Sequence, residues 1–409
     1  MSLPSFPHPP SDRILIIGAG IVGSHLASFL SSSLGSRVIL SDKDVRGLPG
    51  STGHAPGFVG QYNELSPLTE LAKRSVRHYV SQGGDAFQVV GGLEIGSGLE
   101  KRGADAKSAG IQVEVMEKER IMGLVPDFIN EDCVDVRSTS AGLFFPQDGT
   151  ANAIQLTHLA QDQASKNGAI LLNAEVKSHV KLEEGWKVIT SVGDFEVGKV
   201  VFCTGIWASQ LLPSLEHSVV SVAHPYSYSI PHEERPNKMP FIRWPHKHVY
   251  ARDHGTKDGL GSYAHAPVKV PRQDHGQTAY GKWEDEFDSV LQDGYELLND
   301  TMAKTFSVEA EGSERFNGLF SVTPDGMPLV GQIQDGMYCA VGVWVTHAAG
   351  SARLLAETLL GDGKKDDEWL RTALDPKRFD RYTNEEKNDL EKRSLAKYND
   401  IYNKEGQSE

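Results

Sequence analysis

Residues 12–33 read DRILIIGAGIVGSHLASFLSSS, and the reading of this stretch decides the fold. Ile14, Leu15, Ile16 and Ile17 form a short apolar run bounded by glycine, the pattern of a buried strand. Gly18, Gly20 and Gly23 follow at the spacing G-x-G-x-x-G, and apolar residues then recur at helical intervals. A strand that turns sharply into a helix leaves the first N–H groups of that helix unpaired, and they attract an anion. Gly18 serves the turn, Gly20 the close approach of a pyrophosphate, and Gly23 the packing of helix on strand. About twenty residues beyond Gly23 a second strand, RVILSD, ends in Asp42, a carboxylate placed to accept from ribose hydroxyls. Strand, glycines, helix and acid together predict dinucleotide binding. Alone, the glycines would describe a ligand-free turn equally well.

This fingerprint does not choose between NAD and FAD. A domain for NAD alone would continue in regular β-α-β units for about a hundred residues. Instead, Asp42 is followed by GSTGHAPGFVGQ at 50–61, where His54 sits among small residues with no helical or strand period. A helix is predicted over 67–81, a strand in VVGGLEIG, and an amphipathic helix after a loop with Asp148 and Gly149. More strands follow in AILLNAEVKSHVKLEEGWKVITSVGDFEVGKV and the buried VVFCTG. Residues 219–281 read as antiparallel strands, 283–306 as a helix, and MYCAVGVWVTHAAGSARLLAETLLGD as strand, loop and helix.

The expected class is therefore α/β (α+β). A discontinuous Rossmann-type domain (10–84, 146–218 and 321–364) interleaves with an antiparallel-sheet substrate domain (85–145 and 219–320). The charged segment 365–409 reads as a solvated helix or arm with no part in the chemistry.

The 409 residues carry 55 acidic against 41 basic side chains, a formal charge of −14, so no basic footprint suggests nucleic acid or an anionic membrane. A neutral or cationic small substrate is expected. Cys133, Cys203 and Cys339 are far apart and lack C-x-x-C spacing, which argues against a disulfide framework or a zinc knuckle. His246 and His248, in PHKH, would share a strand face, but no third ligand is spaced near them, and no metal is expected. The opening MSLPSFPHPPSD has no targeting pattern and no apolar run approaches a membrane span, so a cytoplasmic location is expected.

Five separated motifs, GSTGHAPGFVGQ, VAHPYSYS, VYARDHG with GLGSYAHAP, RFNGLFSVTPDGMPLVG and GVWVTHAAG, resemble the flavin half of dimethylglycine oxidases and dehydrogenases. These are relatives of the sarcosine oxidases among the D-amino-acid-oxidase-like flavoproteins. The resemblance runs over about 13–363 and stops where those enzymes continue into a folate-binding half, for which this sequence shows no counterpart.

The resemblance implies FAD, bonded covalently through the ring of His54 to its 8-methyl carbon. Ser51, Thr52 and Gly57 beside His54, Gly205 after VVFCTG, and Gly350 are counted with the cofactor-binding set. The helix beginning near Ala348 would aim its positive end at flavin N1 and the C2 carbonyl. Thr346 and His347 either cap and pack that helix or touch the flavin. Asp325, in TPDG, either forms a turn or places a carboxylate near the flavin.

Period-two alternation puts His224 on one strand face with Val222, Tyr226 and Tyr228. His224 matches an active-site histidine of an AHQY stretch in the similar enzymes, here AHPY, with Pro225 in place of glutamine. Tyr250 matches a stretch that supplies an active-site tyrosine; adjacent positions there can both be tyrosine in the similar enzymes, and the neighbour here is Ala251. Tyr226, Arg243 and Arg252 are candidates for holding substrate, the arginines for a carboxylate; arginine on a β surface is otherwise commonly solvated.

The implied reaction oxidises a secondary or tertiary amine by hydride transfer, giving an iminium that hydrolyses to amine and aldehyde. No lysine lies between Gly259 and Pro267, where some relatives use one to promote reaction with oxygen, so the acceptor is oxygen or another carrier. The alternatives are 2-hydroxy acid oxidation and a non-catalytic FAD-binding assembly factor.

Overall fold

A computed structural model describes residues 3–134, 141–383 and 386–399. Ile14–Ile17 is buried at every position and lies inside a six-stranded sheet, between Lys199–Phe202 and Val38–Asp42, parallel to both. Ile170–Asn173 extends the sheet on one side; Met337–Val341 and then the antiparallel Leu329–Gln334 extend it on the other. The strand's alternation sorts its side chains between two cores. Ile14 and Ile16 pack in a cluster with the helices Ile21–Leu34, Ser66–Gln82, Ala153–Lys166 and Ala348–Leu360. Leu15 and Ile17 pack in a second cluster with Val176, Trp186, Phe195 and Val197 of a three-stranded antiparallel sheet. A four-residue strand without a polar position is what a sheet covered on both faces requires.

Nine further strands form a second sheet, in the order Tyr280–Gly281, Glu314–Gly318, Pro225–Tyr228, Asp258–Ser262, Val249–Asp253, Phe241–Trp244, Gly92–Ile95, Gly142–Phe145 and Glu114–Met116. All its pairings are antiparallel except Phe241–Trp244 with Gly92–Ile95. The fold is thus a Rossmann-type parallel sheet joined to a large, mainly antiparallel one.

The chain crosses at one seam twice. Val220–Val222 pairs with Phe320–Val322, and one step further on Pro225–Tyr228 pairs with Glu314–Gly318. Val222 and Tyr226 keep a common cluster, with Tyr228 packed against it, but the strand expected through them is broken at residues 223–224. The break is held by side-chain and backbone bonds: His224 N–H donates to Asn317 Oδ1 (2.9 Å) and Gly318 N–H to the His224 carbonyl (2.9 Å).

Three other expectations are corrected. The helix expected over 283–306 is two, Glu286–Tyr295 and Asp300–Thr305, because Asn299 caps the second by accepting from Met302 N–H (2.8 Å). PHKH is a turn and not a strand, since Pro245–Lys247 is one turn of 3-10 helix and His248 has φ 54°. The charged tail is not simply solvated: Leu370, Leu374 and, in the helix Lys387–Asn399, Leu390, Ser394 and Tyr398 are buried. Among the described residues no helix is long and apolar enough to cross a membrane.

Candidate active site

A cleft of about 640 Å³ runs from the glycine turn to the seam between the sheets. Its floor at one end is backbone. Gly18 has φ 104°, and a Cβ there would lie 2.3 Å from the Cys203 carbonyl oxygen. A Cβ on Gly20 would stand 3.0 Å from Thr52 Oγ1, which accepts from Ile21 N–H (3.1 Å). Gly23 does not line the cleft; a Cβ there would stand 1.9 Å from the Gly18 carbonyl oxygen, so it serves helix packing. Gln161, buried and passed over by sequence reasoning, donates to the Ala19 (3.1 Å) and Val45 (2.7 Å) carbonyls and fastens the turn.

Asp42 lines the cleft, its carboxylate accepting from Ala19 N–H (2.8 Å) and Asp44 N–H (3.1 Å). Burial raises its pKa, and the two N–H groups oppose that rise. Such a cradle, open only where side chains are absent and edged by a carboxylate, fits the pyrophosphate and ribose of a dinucleotide.

His54 closes the one-turn 3-10 helix Ser51–His54, which Ser51 pins by donating to the Leu319 carbonyl (2.6 Å). Its ring centroid lies 4.7 Å from that of Tyr280 and 5.6 Å from that of Phe316. A Cβ on Gly318 would come within 2.9 Å of His54 Nε2, so glycine is needed for the ring to lie there. Nδ1 is buried with no hydrogen-bond partner among the described residues. Burial lowers the imidazole pKa to about 4, partly offset by the Leu319 carbonyl, so the ring is neutral near pH 7. Ser51, Thr52, Gly57, Gly205 and Thr346 all line the same cleft.

His224 also lines the cleft, 5% exposed, between two hydroxyls: Nε2 is 2.7 Å from Tyr250 Oη and Nδ1 2.7 Å from Tyr398 Oη. Burial first, then His265 and His54, drives its pKa well down, so His224 is a neutral acceptor or donor and not a cation. Its ring is parallel to that of Tyr250 (5.7 Å), lies tilted against Tyr263 (4.3 Å) and meets Phe320 edge-on (5.7 Å). Tyr226 lines the cleft as well, its hydroxyl bonded to His254 Nε2 (2.7 Å). With Phe58, Phe316 and Trp344 these rings make a mostly aromatic enclosure.

Several residues marked in the sequence lie off the cleft. Arg243 is buried against Glu94 (2.8 Å), and Arg252 donates to the carbonyls of Pro56, Ala151 and Asp253. Asp325 faces Arg378 in a two-pronged pair (2.7 and 2.9 Å) and also accepts from Met327 N–H, the turn reading and a partner at once. His347 is buried with its pKa lowered to about 3, and Gly350 N–H donates to Ser75 Oγ (2.9 Å). His347 makes no side-chain cap to the helix Ala348–Leu360.

Passed over were Tyr263, Phe320, His265, Tyr398 and the cleft's arginine, Arg272, which donates to the Ser209 carbonyl (3.2 Å). The sequence signal for Tyr398 was the stripe Leu390, Ser394, Tyr398 at intervals of four, hidden among charges.

The chain is similar to several known flavoproteins or their relatives by sequence and by fold. Mouse mitochondrial sarcosine dehydrogenase is 25% identical over 355 residues, covering 81% of this chain and 37% of that protein. The 4-methylaminobutanoate oxidase (formaldehyde-forming) of Paenarthrobacter nicotinovorans is 22% identical over 403 residues, covering 92% of this chain and 47% of that protein. The chain therefore spans less than half the length of these two relatives. Among solved structures, L-proline dehydrogenase from P. horikoshii superposes with a TM-score of 0.75 at 21% identity, over 91% of this chain and 99% of that one, a likeness of fold. The profile described as "FAD dependent oxidoreductase" (DAO) matches residues 13–358, and the chain belongs to that family.

Proposed function

We propose that this protein oxidises a secondary or tertiary amine, an N-methylated amino acid or a larger N-methyl metabolite, with FAD bound covalently through His54. The observation that carries the reading is the neutral His224 and Tyr250 pair, set in an aromatic enclosure that opens onto the glycine cradle.

Bound FAD would supply the acceptor of a hydride from the carbon next to nitrogen. Gly18, Gly20, Asp42 and Thr52 would hold its nucleotide half, and Thr346 would lie beside its ring system. A neutral imidazole that lines the cleft is a competent nucleophile for the covalent link.

An alkylammonium ion has no lone pair to support hydride loss, so its proton must leave. Tyr226, Tyr250, Tyr263 and Phe320 receive the cation through their ring faces, worth about 0.5–2 kcal/mol. His224 then accepts the proton, by way of the Tyr250 hydroxyl 2.7 Å from Nε2. Neither Arg243 nor Arg252 reaches the cleft, which favours substrates recognised by their methylated nitrogen over ones anchored by a carboxylate at these arginines. Water hydrolyses the resulting iminium to aldehyde and demethylated amine.

Anaerobic mixing with a panel of N-methylated amino acids and 2-hydroxy acids tests the reaction. Bleaching of the flavin by amines alone is expected; bleaching by hydroxy acids alone, or by nothing, rejects it. His54→Ala tests the link separately: its flavin should be extracted by acid while the parent's stays on the polypeptide, and extractable flavin in the parent ends the covalent claim.

A further inference from the structure

We infer that Tyr398, from the C-terminal helix Lys387–Asn399, is a positioning residue that fixes the proton of His224 on Nδ1 and leaves Nε2 as the acceptor facing Tyr250. This deepens the amine-oxidation reading and rests on it for its purpose, though not for its geometry.

Four groups stand in line. His265 Nδ1 lies 2.7 Å from the Ala266 carbonyl oxygen, which can only accept, so Nδ1 carries hydrogen. Burial lowers the His265 pKa, against the opposing effects of the Ala266 carbonyl and then Glu286, so the ring is neutral and its Nε2 has a lone pair. Tyr398 Oη is 2.5 Å from that Nε2 and must donate to it. Its single proton being spent there, the hydroxyl oxygen can only accept from His224 Nδ1–H, 2.7 Å away. His224 Nε2 is then unprotonated and accepts from Tyr250 O–H. One backbone carbonyl thus sets the direction of the whole series, Tyr250 to His224 to Tyr398 to His265 to Ala266. The groups that face His224 are Tyr250, Tyr263, Phe320, Tyr398, His265 and His54, and among the described residues no carboxylate pairs with it to reverse the order.

The helix that delivers Tyr398 is fastened for the task. Asn399 Nδ2 donates to the carbonyls of Tyr263 (2.7 Å) and His265 (2.9 Å), so the helix end is tied to the same segment that carries the next histidine. Lys269 and Glu391 pair at 2.6 Å further along. Tyr398 itself is fully buried, stacked on Phe320 at 5.9 Å, which also lines the cleft.

Nitrogen-15 NMR of histidine-labelled holoenzyme reads the assignment directly. In the parent, His224 and His265 should each show a protonated Nδ1 and an unprotonated Nε2; a protonated Nε2 on His224 overturns the proposal without any variant. Tyr398→Phe keeps the ring and removes the hydroxyl. It should retain flavin, shift His224 toward the other tautomer, and slow anaerobic flavin reduction by an N-methylated amine about 100-fold, the low end of what a positioned base contributes, with little change in amine affinity. An unchanged His224 tautomer in this variant also overturns the proposal. A tautomer shift in a protein that no amine reduces would uphold the relay and reject the amine reading, so the two fail separately.

Discussion

At the glycine turn the atoms that face the cleft belong to the backbone, bared by Gly18 and Gly20, and their neighbours in sequence make the shape. At the seam between the sheets they belong to side chains that approach from distant parts of the chain. His224 meets Tyr250 across 26 residues and Tyr398 across 174. A backbone site tolerates almost no added atom, as the closeness of the Cys203 carbonyl to Gly18 shows; a side-chain site fails when any one contributor is misplaced. The chemistry follows the same division. Phosphate recognition needs fixed N–H groups and field, which a helix start provides, whereas moving one proton needs hydroxyls and imidazoles in a set order.

The sharpest way to break this contrast is a single carbon at the turn. Gly18→Ala adds a Cβ 2.3 Å from the Cys203 carbonyl, at a φ of 104° that L-residues rarely adopt. The clash sets the new Cβ against a backbone carbonyl, and alanine has no rotamer that could relieve it. The expected product is protein without flavin, seen as loss of visible absorbance. A yellow Gly18→Ala protein with the parent's thermal midpoint would show that the turn is softer than its geometry indicates.

That contrast was also one of legibility. The strand Ile14–Ile17, the three glycines and Asp42 lie within about thirty residues, so spacing alone carried them, and His54 stood out against small neighbours. The seam offered no such spacing. His224 and Tyr250 were readable through the resemblance, but the polar order around them depends on Asn317, His265 and Tyr398, each brought in by tertiary packing. Arg243 and Arg252 were marked for the right lobe and turned out to be committed elsewhere, because pairing with Glu94 and with loop carbonyls leaves no trace in local sequence. The tail misled for a related reason, since three buried positions in thirteen are swamped by charge.

Glu94 gives the second test, on the side-chain half. It is 2% exposed and accepts from Arg102 (2.6 and 2.9 Å) and Arg243 (2.8 Å), with both arginines holding its pKa below the usual carboxylate range against the effect of burial. Glu94→Gln removes the charge and leaves two buried guanidinium groups under-compensated, which destabilises by about 3–5 kcal/mol. Denaturant unfolding should report this loss while flavin content below the transition stays near that of the parent. Equal loss of flavin would mean that the two halves are one cooperative unit and that the distinction drawn between them is only geometric.

Phe320→Leu probes the smallest effect, the aromatic wall itself. Phe320 meets His224 edge-on at 5.7 Å and Trp344 at 5.8 Å, and it lines the cleft without taking part in the proton series. Leucine keeps most of the apolar area but removes a ring face, so the term at stake is the attraction between ring and cation, about 0.5–1 kcal/mol where water has access. That predicts a KM for a methylated ammonium raised by about two- to fivefold with kcat nearly unchanged, the signature of lost ground-state binding. If kcat falls and KM holds, Phe320 acts by keeping His224 and Tyr398 in line, and the seam is less tolerant of substitution than a wall of interchangeable rings should be.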